Sequence, residues 1–196
     1  MRQETIKLYQ FDELSEDVKK KMLDKHRDIN ADHSWYDWAL EDWYIKLKSL
    51  GYEEAKIYFS GFWSQGDGAC FTATVNIDQY LSAHKLKTRF KPLSECADYI
   101  SITITHRWRY YFASSTDVNI EFYEDNKEVD ALLNELEAMI KQERETLGNE
   151  IYKNLEDVYC DLTSDESVAE TLRINEYEFM EDGQQINFKE EVKGNV

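Results

Sequence analysis

The sequence predicts an α+β protein: an antiparallel sheet of about four to six strands, covered mainly on one face by helices, with a long acidic C-terminal helical region and a terminal hairpin. Two observations carry that prediction. Three central stretches alternate apolar and polar residues with a period of two, and the segments flanking them repeat apolar residues at steps of three and four. Alternation marks a strand with one buried and one wet face, the pattern of an antiparallel sheet. The 196 residues are expected to form a single domain that buries roughly 70% of the surface of its unfolded chain. Within it, residues 1–124 supply helices plus the sheet and 125–196 an acidic helical subdomain with the C-terminal hairpin, any junction falling near 124–127.

In chain order, residues 4–9 read as a short opening strand, and Ser15 caps a helix over about 15–29, with Glu16 and Asp17 suited to its dipole. A second helix is expected over 34–50, carrying the stripe Tyr36, Leu40, Trp43, Leu47, Leu50 and started by Ser34 with Asp37 in the manner of a capping box. Residues 55–60 pair with a strand over 69–77, in which Ala69, Phe71, Ala73, Val75 and Ile77 face one way. Residues 78–91 form a short helix or connection closed by Pro92, the only proline. Ile100, Ile102, Ile104 and then Val118, Ile120, Phe122 mark two further strands. From about 128 a helical period returns through Val129, Leu132, Leu136, Leu147, Ile151, Leu155 and Val158, with Gly148-Asn149 expected to kink or split it. Thr163 with Glu166 caps a helix over 164–174, and Asp182-Gly183, between Tyr177/Phe179 and Ile186/Phe188, signals a type I′ hairpin.

Charge is segregated. Residues 1–120 hold 18 acids and 16 bases, whereas residues 121–196 hold 22 acids and 7 bases, which places nearly all of the net −17 in the C-terminal part. Such a field repels phosphate backbones, so no direct nucleic-acid binding is expected. It suits a protein partner with a basic surface, including one that normally holds DNA or RNA; the alternative is a long surface helix that uses acids only for solvation. No apolar run approaches the ~18 residues of a membrane span, and the Met1-Arg-Gln-Glu-Thr-Ile6 start has no apolar signal core. Cys70, Cys96 and Cys160 are scattered and odd in number, as in a reduced cytoplasmic protein. Oligomeric state is not legible.

Standard catalytic signatures are missing. Gly61 and Gly66 have P-loop spacing, but Asp67 follows where the phosphate-binding lysine would stand. His33, Asp37 and Glu41 recur every fourth residue and could line one helix face as metal ligands, but the reading taken is a solvated polar face, with no metal and no cofactor. Two segments remain. In the glycine-bracketed loop 61–68, Trp63 either anchors a ligand or plugs its own hairpin, and Gln65 and Asp67 either contact a ligand or bond their own turn. Phe62 and Trp63 cannot both point inward from an extended backbone, and the expectation is a mostly buried Trp63 with one exposed edge. In His106-Arg-Trp-Arg-Tyr-Tyr-Phe112, continued alternation puts His106, Trp108, Tyr110 and Phe112 on the isoleucine face and Arg107, Arg109 and Tyr111 on the other. Those arginines could hold a carboxylate or phosphate; the favoured alternative pairs them with the acidic C-terminal helices. If the strand ending at 105 runs antiparallel to 69–77, both segments fall at one end of the sheet. The candidate ligand or partner residues are therefore Trp63, Gln65, Asp67, His106, Arg107, Arg109 and Tyr111, with no catalytic residue assigned.

Phe11-Asp-Glu-Leu-Ser15, Phe59-Ser-Gly-Phe-Trp-Ser-Gln-Gly-Asp-Gly-Ala69, His106-x-x-Arg-Tyr-Tyr111 and Thr163-Ser-Asp-Glu-Ser with Asn175-Glu-Tyr-Glu-Phe179-x-Glu-Asp-Gly183 together resemble a family of uncharacterised tailed-phage proteins. Some members carry the label of an antitoxin in a toxin–antitoxin stability system. The resemblance covers nearly the whole chain and implies a phage or prophage origin and action in the cytoplasm of a bacterial host. It supplies no catalytic residues, and Phe112 stands where the family often has a histidine. Three functions follow as expectations. The first is a non-enzymatic binding protein that inhibits or modulates a host factor, such as a defence nuclease or toxin, through its acidic surface. The second is a small-ligand binder or enzyme at 61–68 and 106–112. The third is an antitoxin-like neutraliser or structural accessory. The balance lies with binding rather than catalysis.

Overall fold

The alternating segments become one antiparallel sheet in the computed structural model, which describes residues 5–107, 109–123 and 126–185. In chain order the elements are β1 (Tyr9–Gln10), α1 (Glu16–Lys25), α2 (Asp37–Ser49), β2 (Tyr52–Phe59), β3 (Ala69–Val75), α3 (Ile77–Ala83), α4 (Lys91–Glu95), β4 (Ile100–His106), β5 (Thr116–Phe122), α5 (Lys127–Leu162), α6 (Asp165–Ile174) and β6 (Glu178–Phe179), joined in places by short 3-10 turns. The fold class is α+β, as the periodicities predict. The chain divides into two compact units, one drawn from residues 1–35 and 158–196 and the other from Tyr36–Asp157. The division therefore does not run at 124–127, where the composition shift pointed.

In the central unit β2, β3, β4 and β5 lie in sequence order, every neighbour antiparallel. Phe71, Ala73, Val75, Ile102, Ile104 and Val118 are buried, while Thr74, Thr105, Asn119 and Glu121 on the opposite face are exposed. The buried face is covered by α5, whose Leu136, Ile140, Leu147, Ile151 and Leu155 recur at helical steps and are all buried. Helix α2 contributes Leu40, Trp43 and Leu47 to the core. The Trp43 indole N–H donates to Asn154 Oδ1 at 2.9 Å, and Lys46 pairs with Glu150 at 2.9 Å, tying α2 to α5.

In several places local sequence signals lost to tertiary contacts. Helix α5 runs unbroken through Gly148-Asn149. A Cβ at Gly148 would come within 2.8 Å of Ala113 Cβ and 3.0 Å of Ala69 O, so the glycine is there to let helix and sheet approach, and it does not end the helix. Helix α2 begins at Asp37, and Ser34 instead bonds Asp32, so His33 precedes the helix and the four-residue spacing with Asp37 and Glu41 defines no common face. Pro92 does not close a connection; it sits in the first turn of α4, where a missing N–H is harmless.

In the terminal unit Phe11, Leu14, Met22, Val168, Leu172 and Phe179 form the core. Strand β1 is only two residues long and pairs antiparallel with β6, Tyr9 opposite Phe179, so no strand covers the described part of 4–8. Ser164, rather than Thr163, caps α6, its hydroxyl accepting from Ser167 N at 3.2 Å. Among the described residues after β6 only Gly183 has positive φ (+87°), and Gly183 N donates to Met180 O at 2.9 Å. This is a type I turn followed by a left-handed glycine, not type I′. The second arm, with Ile186 and Phe188, lies outside the described residues.

His26 packs edge-on against Tyr177 and Phe179 (ring centroids 5.9 and 6.2 Å), with no partner for its buried Nε2 among the described residues. Burial first, and the charge of Lys25 second, lower its pKa from the ordinary 6.5. The unfolded state then binds the proton more readily, so this group's contribution is intact above pH 6.5 and is lost as pH falls toward the lowered folded value. Urea denaturation at neutral and mildly acid pH should show His26→Phe losing less stability on acidification than the wild type; equal losses would contradict this.

Candidate functional site

The loop between β2 and β3 is closed from within. Ser60 N donates to Gly68 O at 3.0 Å, and Gly68 N donates to the Ser60 hydroxyl at 3.2 Å. Asp67 accepts from Ser64 N at 2.6 Å while Asp67 N donates to Ser64 O at 3.1 Å, so its carboxylate is committed to its own turn. Gly66 holds φ +110°, and a Cβ there would lie 3.3 Å from the Tyr110 ring. The loop is thus a fixed turn seated against the 106–112 segment.

Phe62, not Trp63, fills the hairpin. Its half-buried ring packs 6.4 Å from Phe59 and 5.6 Å from Tyr152, centroid to centroid. Trp63 stands edge-on to Phe62 at 5.8 Å and is 72% exposed, which overturns the expectation of a mostly buried ring. Of two adjacent aromatics only one can turn inward, and the space between Phe59 and Tyr152 takes the smaller one. Gln65 is exposed beside it.

The alternation of 100–105 does not persist through 112. Strand β4 ends at His106, and Arg107 N bonds Ser115 O at 3.0 Å as the chain turns back. His106 and Tyr111, expected on opposite faces, instead meet (5.3 Å) and stack with Tyr58 at 5.6 and 5.8 Å. His106 Nε2 also lies 3.1 Å from Tyr110 O. Arg107 pairs with Asp117 on the neighbouring strand rather than with the C-terminal helices. The arginine that binds from α5 into this region is Arg144, 6% exposed, which donates to Thr116 O and pairs with Glu145 at 3.0 Å. Arg109 is exposed, and Trp108 lies outside the described residues.

The two predicted segments therefore do share one end of the sheet. A Cβ on Gly68 would meet Tyr111 O at 2.9 Å, and Tyr110 and Phe112 (54% and 38% exposed) lie 5.9 Å apart beside the loop. Trp63 on the loop and these two residues beside it are the exposed aromatics at this end of the sheet, the aromatic rim. Next to it opens a groove of about 390 Å³ whose lining includes Asp67, Phe112, Glu145, Asn149 and Tyr152. Burial, then the charges of Glu156 and Asp67, raise the Tyr152 pKa, so its hydroxyl stays a donor. The groove is lined by two carboxylates that already have partners within the protein, Asp67 with Ser64 N and Glu145 with Arg144, and by the Asn149 amide. The missed residues Tyr58, Phe62, Phe112 and Tyr152 carried only their aromatic character as a signal.

A second polar cluster lies elsewhere in the unit. Glu143 on α5 accepts from the buried Tyr52 hydroxyl at 2.7 Å and lies 2.7 Å from His84 Nε2, while His84 Nδ1 lies 2.8 Å from Tyr80 O. Burial, with the Glu143 charge second, pushes the Tyr52 and Tyr80 phenols far above their ordinary range. Both His84 nitrogens are engaged, so the cluster straps α3 and β2 to α5. Among the described residues no group of three or more His, Cys, Asp or Glu is placed to hold a metal ion, and no helix is long and apolar enough to cross a membrane.

Residues 35–165 match the family described as a domain of unknown function, DUF8835. The chain belongs to this family. The matched span takes in the whole central unit, so the loop, the aromatic rim and the groove all fall within the DUF8835 domain. No curated protein and no solved structure matches the chain.

Proposed function

We propose that the chain is a non-enzymatic binding protein that docks on another protein through the aromatic rim around Trp63. The observation that carries this reading is the 72% exposed indole on a turn closed by its own hydrogen bonds. A large ring held on a fixed turn binds with little loss of conformational freedom, and such rings dominate binding energy at interfaces. Exposed Tyr110 and Phe112 add apolar surface at the same end of the sheet, and the excess of carboxylates in residues 121–196 suits a partner with a basic surface. The tailed-phage resemblance extends the proposal: the partner is a bacterial host factor, a defence nuclease or a toxin, that the protein inhibits or modulates in the host cytoplasm. The second reading, a small-ligand site, rests on the groove itself, whose 390 Å³ falls within the range of ligand pockets.

Capture from a bacterial host lysate, followed by titration of the captured partner, tests this. Trp63→Ala should leave the melting temperature almost unchanged and weaken binding by ~2 kcal/mol or more, roughly 30-fold. Trp38→Ala, which removes another exposed tryptophan (58%) on α2, should leave binding intact. Affinity should fall as salt rises. A Trp63→Ala chain that binds the same partner as tightly as the wild type would overturn the proposal.

A further inference from the structure

Among the described residues, β5 forms an edge of the sheet with a defined pattern of backbone groups that have no partner. Arg107 N bonds Ser115 O at 3.0 Å and Tyr123 N bonds Tyr99 O at 3.1 Å, one at each end of the β4–β5 ladder. Hydrogen bonds in an antiparallel pair recur every second residue. The residues of β5 that bond to β4 are therefore Asp117, Asn119 and Glu121, and those whose N–H and C=O point away from the sheet are Thr116, Val118, Ile120 and Phe122. Arg144 confirms the phase by donating to the outward Thr116 O. For Val118, Ile120 and Phe122 no partner for these groups occurs among the described residues, and β5 is the last strand of the sheet.

A groove of about 400 Å³ runs along this edge, lined by Ile120 and Phe122 from β5 and by Asp130, Leu133, Asn134 and Glu137 from α5. The α5 residues follow i, i+3, i+4, i+7 spacing, one helix face along the strand. The lining has apolar surface at Ile120, Phe122 and Leu133, two carboxylates and no cationic side chain; Lys141 reaches only the Glu137 end, at 2.6 Å.

We propose that this edge accepts an extended basic segment of a partner protein as an additional strand. Its backbone would bond the outward N–H and C=O groups of Val118, Ile120 and Phe122. Alternate side chains would be apolar, on the α5 side against Ile120, Phe122 and Leu133, and Lys or Arg, on the opposite face beside Asp117 and Glu121 of β5. A second copy of this chain fits poorly, because pairing β5 with β5 brings Asp117, Glu121, Asp130 and Glu137 of both copies together. The inference rests on the binding-protein reading only for the basic character of the partner, and it uses a surface distinct from the Trp63 rim.

The test needs no identified partner. The full chain is titrated with the peptide Lys-Val-Lys-Val-Lys-Val while amide exchange is followed residue by residue. Exchange of the Val118, Ile120 and Phe122 amides should slow about tenfold or more on saturation. N-methylation of alternate peptide residues should weaken binding about tenfold in one phase and leave it nearly unchanged in the other, since only one peptide edge meets β5. Combined Asp117→Lys and Glu121→Lys should weaken binding by a similar factor, and Trp63→Ala should have no effect. No binding, equal binding of both N-methylated peptides, or binding without protection at these amides would each overturn the inference. The Trp63 proposal would stand or fall separately, on its own titration.

Discussion

Gly148→Val is expected to lower the unfolding free energy by about 3 kcal/mol. In an ordinary helix interior any side chain except proline's is an improvement on glycine, and Ala would gain about 1 kcal/mol. Here the added carbon meets Ala113 Cβ at 2.8 Å and the Ala69 carbonyl oxygen at 3.0 Å. Neither neighbour is the far end of a flexible side chain; one carries its own backbone with it and the other is a strand carbonyl. Relief requires α5 to lift from the sheet, which loosens contacts around Leu147 and Ile151, both buried. Even Gly148→Ala should be a net loss, of about 1 kcal/mol, once overpacking is set against propensity. Chemical denaturation of the three proteins measures this, and an Ala variant more stable than the wild type would show that helix and sheet yield at this point.

Glu143→Ala is expected to cost a comparable amount, about 3 kcal/mol, for a different reason. It leaves the Tyr52 hydroxyl, on a fully buried ring, without its acceptor and removes the partner of His84. The double variant decides the mechanism. Tyr52→Phe alone should cost about 1 kcal/mol, because the Glu143 carboxylate keeps His84 and some access to water. Combined with Glu143→Ala, it should restore part of the loss, since the orphaned hydroxyl is gone. If the two costs simply add, burial of the phenol is not what makes the strap matter. Glu150→Ala, which removes an exposed pair with Lys46, is the control and should change little.

The strands were legible because each carries its own period: Phe71, Ala73 and Val75 are buried together as alternation requires. The stripe of α2 was legible for the same reason. The continuity of α5 was not, because a glycine in a helical pattern looks the same whether it breaks the helix or admits a neighbour, and only the position of Ala113 distinguishes the two. The site was legible in part. Antiparallel pairing of β3 with β4 predicted that the 61–68 loop and the 106–112 segment would meet, and Gly66 does lie against Tyr110. Side-chain directions within the site failed, since alternation holds only while a strand continues, and β4 stops at His106. Which of Phe62 and Trp63 turned inward depended on Tyr152, far along the chain on α5. Glu143 and His84 had no signal at all, being an ordinary acid and an ordinary histidine until the fold brings them together.

Because the terminal unit is assembled from both ends of the chain, the order of synthesis constrains its folding. Tyr9 finds its strand partner only at Phe179, Arg27 its carboxylate on α6 only at Asp165, and Asn30 its acceptor only at Leu162. The sheet, the loop and all but the last turn of the covering helix lie within Tyr36–Asp157 and are translated before α6 and β6. While they form, the Phe11, Leu14 and Met22 faces of the N-terminal segment have nothing to bury against until Val168, Leu172 and Phe179 leave the ribosome. A stalled or truncated chain ending before α6 would therefore leave Phe11, Leu14 and Met22 uncovered although every residue of the central unit is present.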